Sequence, residues 1–180
     1  MKPRVGISRC LLGDDVRYDG TNRRSGAVLA LEGEVEWVSV CPEVDVGMGV
    51  PREPIQLVAS GAGVSSARER VRLQGVTSRE DWTGRMEQWA RDRVGALAAE
   101  RISGFVLKAR SPSCGPVGVL VHHEDGYATP SSRGLFAEAL VAAMPGLPTI
   151  DEEWLEDEVA RADFIQRVRQ FAAGIARTNK

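Results

Sequence analysis

Three cysteines, Cys10, Cys41 and Cys114, are the only thiols in the chain, and their settings are alike. Each ends, or lies just beyond, a strand-like run and opens a loop: "VGISR" precedes Cys10, "VEWVSV" precedes Cys41 and "FVLKARSPS" precedes Cys114. In parallel α/β sheets the ligand crevice lies outside the carboxyl ends of the strands. Three such strands would deliver three thiols to one place. Prolines flank two of them, in Cys41-Pro42 and in Pro112-Ser113-Cys114-Gly115-Pro116. Proline fixes backbone direction and removes a donor, and Gly115 permits close backbone approach.

These residue types leave several chemistries open. A free cysteine often packs as a small buried hydrophobe. Three thiols are too few for a closed four-cysteine zinc site, but they suit zinc held by three cysteines with water or one histidine. The only histidines, His122 and His123, are adjacent and lack metal-ligand spacing. Thiolates also hold iron–sulfur clusters, and three of them leave one iron of a [4Fe–4S] cube open as a Lewis acid with affinity for sulfur. An odd thiol count is poor material for a disulfide framework.

The elements that must position these thiols read as follows. "RVGISRC" (4–10), "VEWVSVC" (35–41), a run near Ile55–Val58 and "SGFVLKARS" (103–111) are strand-like, and "LPTID" is a short strand. "SGAVLALEGE" (25–34) suits a short helix. Residues 59–81 read as a hairpin-like excursion. A long amphipathic helix follows, capped by Thr77 or Ser78, with Trp82, Met86, Trp89, Val94 and Leu97 as its core stripe. "PVGVLVHHEDGYATPSSRG" reads as loop, and helices close the chain at 134–144 and beyond Asp151. This alternation predicts a single α/β domain with a mainly parallel sheet and helices on both faces.

At 180 residues the chain has the length of one domain, and an apolar content of 43% supplies a core. A formal net charge of −2, with no basic stripe, disfavours a nucleic-acid partner. The abundant Arg reads as solvated helix faces paired with Glu and Asp. "MKPRVGISRCLLG" lacks a signal-peptide core, and no apolar run approaches the roughly 18–20 residues of a membrane span. A cytoplasmic location without membrane contact is therefore expected. Oligomeric state is left open.

Together "GISRCLLGDDVRYDG", "CPEVDVGMGVPREPIQL" and "LKARSPSCG" resemble the DUF523 family, whose characterised members are thiouracil desulfidases. The family domain would span residues 1–150, with 151–180 a C-terminal helical extension of the same domain. The resemblance implies a Rossmann-like fold and a [4Fe–4S] cluster held by Cys10, Cys41 and Cys114. It also implies hydrolytic removal of sulfur from a thiolated pyrimidine such as 2-thiouracil, giving uracil and hydrogen sulfide without net electron transfer. The small thiolated base would be its partner molecule. On that reading Glu43, two residues after Cys41, is the base, its pKa raised by an apolar pocket. Ser111 is its catalytic partner. Ser113, Lys108 and Asp19 bind substrate, with Arg17 beside Asp19 and Arg52 anchoring its loop by a salt bridge. Two other functions stay open: a non-catalytic three-cysteine metal or cluster module, and a persulfide sulfur transferase.

Overall fold

The computed structural model describes residues 2–60 and 70–178. In chain order the elements are β1 (Arg4–Ser8), α1 (Gly26–Leu29), β2 (Glu36–Val40), α2 (Pro42–Asp45), β3 (Ile55–Ser60), β4 (Arg70–Gly75), α3 (Thr83–Ala99), β5 (Phe105–Leu107), β6 (Val119–His122), β7 (Ala128–Ser132), α4 (Leu135–Ala143), β8 (Thr149–Asp151) and α5 (Glu158–Thr178). Single 3-10 turns cover Arg9–Leu12 and Trp154–Glu156.

The first sheet has the order β2-β1-β5-β8 and is parallel throughout, with Gly6 opposite Val38 on one side and Phe105 on the other. Parallel sheets form where both faces can be buried, and the side chains divide accordingly. Val5, Ile7 and Val106 point to one face, against Val28 of α1 and Phe164, Ile165 and Val168 of α5. Val38, Val40, Phe105 and Leu107 point to the other, against Ala90, Val94 and Leu97 of α3 and Phe136 and Leu140 of α4. The rings of Phe105 and Phe136 meet edge to face with centroids 5.4 Å apart. Burying each such ring contributes about 1.5–3 kcal/mol. Gly6 is required by this packing, because a Cβ there would lie 2.2 Å from the Phe105 ring.

The second sheet has the order β4-β3-β6-β7, with β3 parallel to β6 and antiparallel pairs at each edge. Its inner face, Leu57, Leu73, Val119 and Val121, packs on Met86 with Trp82 and Trp89 alongside. α3 is thus shared between the two sheets, and the expected stripe on this helix is core.

Four local expectations need correction. Residues 116–134 are not all loop: β6 and β7 form a hairpin, and Pro130 is accommodated because β7 is an edge strand. α3 begins at Thr83, not after Thr77 or Ser78. Arg79 is left-handed with φ 61° and Asp81 bridges back to Gln74, so the chain turns before the helix starts. The first helix is only four residues long. The C-terminal helical segment is split by the Trp154–Glu156 turn ahead of α5. The excursion expected over 59–81 is a true β3–β4 hairpin, and its connection at 61–69 lies outside the described residues.

Candidate active site

Cys10 sits two residues past β1, Cys41 one residue past β2, and Cys114 in the turn that follows β5. These are three adjacent strands of the parallel sheet, so their carboxyl ends open on one crevice. All three cysteines are buried and free, and all three line one cavity of about 360 Å³. That volume is at the low end of ligand pockets, about 300–1,000 Å³, and suits a compact group with a small ring.

Local sequence sets each thiol. Pro42 starts α2 at a position that needs no amide donor, and Cys41 is its N-cap. The Cys114 turn is closed by the Gly115 amide on Ser111 O at 2.7 Å, and by the Ser111 hydroxyl, which accepts from the amides of Ser113 at 3.2 Å and Cys114 at 3.1 Å. Gly134 lies against this turn, where a Cβ would stand 2.4 Å from the Ser113 carbonyl. Arg110 enters the turn in the left-handed region, φ 59°, and its guanidinium pairs with Glu153.

Burial pushes the Cys10 thiol up to about 11, with the Cys41 charge adding to it and Lys108 and Arg17 opposing. Burial also raises Cys41, partly offset by the Val44 amide. It raises Cys114 most, against a hydroxyl contact from Ser8. Each thiol therefore has built-in partners for its thiolate: cations beside Cys10, a helix amide at Cys41 and a hydroxyl at Cys114. Raised thiols are poor nucleophiles, which argues against a persulfide transferase. Among the described residues, no three His, Cys, Asp or Glu side chains stand close enough to share a single ion. Zinc–sulfur bonds of about 2.3 Å would demand such closeness. Three thiols on one cavity fit a group that spans them, and thiolate donors fit an iron–sulfur cluster.

Glu43 lines the same cavity. Its setting is an ion pair, not the apolar wall expected. Oε2 accepts from Arg52 Nε at 3.0 Å and Nη2 at 2.6 Å, and Oε1 accepts from Ser113 Oγ at 2.6 Å. Ser113 is fully buried and its hydroxyl is engaged there, whereas Ser111 lies on the cavity wall. Lys108 also lines the wall, and its ammonium donates to Glu152 and to Ala109 O. Asp19 is not among the lining residues. Its carboxylate accepts from Thr21 N at 3.1 Å and Thr21 Oγ1 at 2.6 Å, and it faces Arg17 Nε at 3.6 Å.

The wall is more basic than the sequence suggested: Arg9, Arg17, Arg23, Arg52 and Arg110 join Lys108 around Glu43. Composition hid them, since Arg is spread along the whole chain, on strands, turns and helices alike. The signal available was their position, every one lying inside or beside a cysteine loop. His122 and His123 lie elsewhere, on and just past β6, where the His123 ring stacks on Tyr127.

Comparison with known proteins bears on this site. A family described as 2-thiouracil desulfurase matches residues 5–152. The uncharacterized protein YbbK of Bacillus subtilis (strain 168) is 31% identical over 109 residues, which is 61% of this chain and 71% of that protein. A solved structure of the [4Fe-4S]-dependent thiouracil desulfidase TudS matches with a TM-score of 0.66 and 29% identity, over 89% of this chain and 97% of the other.

Proposed function

The chain belongs to the 2-thiouracil desulfurase family, and from that premise we propose that it removes sulfur hydrolytically from a thiolated pyrimidine of the 2-thiouracil type. Water would supply the oxygen that replaces sulfur on the ring carbon. Its two protons would leave with the sulfur, so that uracil and hydrogen sulfide form and no electrons are exchanged. The observation that carries this reading is the delivery of three buried thiols, by the ends of three adjacent parallel strands, to the cavity that also holds Glu43.

Cys10, Cys41 and Cys114 would hold a [4Fe–4S] cluster, which when bound supplies an open iron with Lewis acidity and affinity for the substrate's sulfur. The chain's own residues do the proton chemistry. An ionised carboxylate offers about four lone-pair sites. On Glu43, Arg52 and Ser113 fill three with hydrogen bonds, leaving a site for the attacking water, whose proton Glu43 accepts. Ser111 accepts two amide hydrogens, so its own hydroxyl hydrogen is turned away from the turn. From the cavity wall it can donate to the ring as charge develops there. Ser113 acts through Glu43. Lys108 sets the positive charge beside Cys10, and Asp19 holds Arg17 and the first loop.

The same reading takes residues 151–180 as an extension of the one domain, supported by Phe164, Ile165 and Val168 of α5 in the core. Among the described residues no helix is long and apolar enough to cross a membrane. A small free base is the substrate favoured by the cavity's size.

The test is anaerobic reconstitution with iron and sulfide, followed by assay of sulfide release from 2-thiouracil beside Cys114→Ala. About four irons per chain and release that vanishes in the variant are expected. Failure to take up iron sinks the reading. A stable four-iron protein that releases no sulfide from any thiolated pyrimidine leaves only a binding module.

A further inference from the structure

Arg52 carries no thiol and lies on the connection between α2 and β3, yet it touches two of the cysteine loops directly and the third through one carboxylate. Its side chain is only 6% exposed. Besides its two bonds to Glu43 Oε2, Nη2 donates to Val16 O at 3.0 Å, Nη1 donates to Gly49 O at 2.9 Å, and its backbone amide donates to Tyr18 O at 2.9 Å. Val16 and Tyr18 belong to the loop after Cys10. Glu43 belongs to α2, which Cys41 opens. The other oxygen of Glu43 receives the hydroxyl of Ser113, the residue before Cys114.

We propose that Arg52 is a positioning residue of the reaction: it fixes the Glu43 carboxylate on the cavity wall, and through the line Val16–Arg52–Glu43–Ser113 it ties the three cysteine loops together. This rests on the reading of Glu43 as proton acceptor. The geometry needs a guanidinium. Its planar fork gives two donors to one carboxylate oxygen and two more to carbonyls on either side, which a single ammonium cannot match.

The test uses the reconstituted protein with Arg52→Ala, Arg52→Lys, Glu43→Gln and the Glu43→Gln/Arg52→Ala double variant. Iron per chain, the visible spectrum of the cluster, kcat and KM are read for each. R52A should keep about four irons and its KM, while kcat falls on the order of 100-fold, the cost of a small misplacement of a reacting group. R52K should restore only a small part, and added guanidinium should restore part of the R52A rate. In the E43Q background, R52A should cost little more, because Arg52 acts through Glu43. Fully loaded R52A with near-normal kcat overturns the proposal while E43Q inactivity leaves the base reading intact. Wild-type turnover in E43Q is instead the failure of that reading, and the proposal falls with it. Iron lost in step with turnover from both R52A and R52K also overturns it, assigning Arg52 to cluster retention alone.

Discussion

Removing the Glu152 side chain should destabilise the apoprotein by about 3 kcal/mol. Lys108 and Glu152 form an ion pair whose side chains are only 15% and 13% exposed. Glu152 Oε2 also accepts from the Ala109 amide at 2.7 Å, and the ammonium has one further acceptor, Ala109 O at 3.1 Å. In Glu152→Ala the ammonium keeps only that carbonyl and the amide keeps nothing. Breaking a buried pair costs about 3–5 kcal/mol, and an orphaned amide about 1–3 kcal/mol. The two overlap and the pair retains some solvent, which places the sum at the lower end. For a chain of this size that is a fall of about 6–12 °C in Tm. Urea denaturation of the apoprotein measures it without interference from iron. The companion variant, Lys108→Met with Glu152→Leu, removes both charges and should lose only about 1–2 kcal/mol, since replacing a buried pair by apolar groups is often neutral and the remaining cost is the Ala109 amide left without its acceptor. A loss below about 0.5 kcal/mol in E152A, or a double variant that loses the sum of the singles, would refute the reasoning, because the pair would then behave as an exposed one.

Gly134→Ala should lower both iron content and stability, by about 1–3 kcal/mol for overpacking, because its Cβ would strike the backbone at Ser113 and Cys114 at 2.4 Å and 2.7 Å; iron analysis and thermal melts read both. Among the described residues, Tyr18 is the one aromatic on the cavity wall. Stacking on a base is worth about 1–3 kcal/mol, so Tyr18→Ala should raise KM about tenfold with kcat little changed, and an unchanged KM would remove Tyr18 from substrate binding. Hydrogen bonds from Thr83, with Arg72 nearby, hold the Asp81 carboxyl below its usual range. Its contribution is therefore present above about pH 4 and is lost as the pH falls through the depressed value. Urea midpoints between about pH 5 and pH 2 should fall more steeply in wild type than in Asp81→Asn.

What was legible in the sequence depended on chain-local signals. Strand-like runs ending at Cys10 and Cys41 were readable, and β1 and β2 do end within two residues of those thiols. The hairpin β6–β7 was not readable, because a strand half open to solvent that carries His122, beside an edge strand that carries Pro130, has the composition of a loop. The start of α3 was misjudged for a related reason. Thr77 and Ser78 look like helix caps, yet here the Ser78 hydroxyl accepts from the Glu80 amide inside a turn. Within the site, residue types at the loops pointed to the cavity, but partners did not. Glu43 meets Ser113 across 70 residues of chain, and Lys108 meets Glu152 across 44. Such pairings follow from strand order, not from spacing. Asp19 illustrates the converse. Its neighbour Thr21 takes it up locally, as short Asx turns commonly do.

The strand order also dictates a timetable for biogenesis. Cys10 and Cys41 follow β1 and β2, the first two strands of the chain and neighbours in the sheet, whereas Cys114 follows β5, which lies on the far side of β1 and comes after the β3–β4 hairpin and α3 in sequence. A ribosome-bound chain thus displays two of its thiols well before the third exists. At the cell's usual pace of about 5–20 residues per second, the wait from Cys41 to Cys114 lasts several seconds. On the proposed reading, a cluster that needs all three thiols is completed only after most of the chain has been translated.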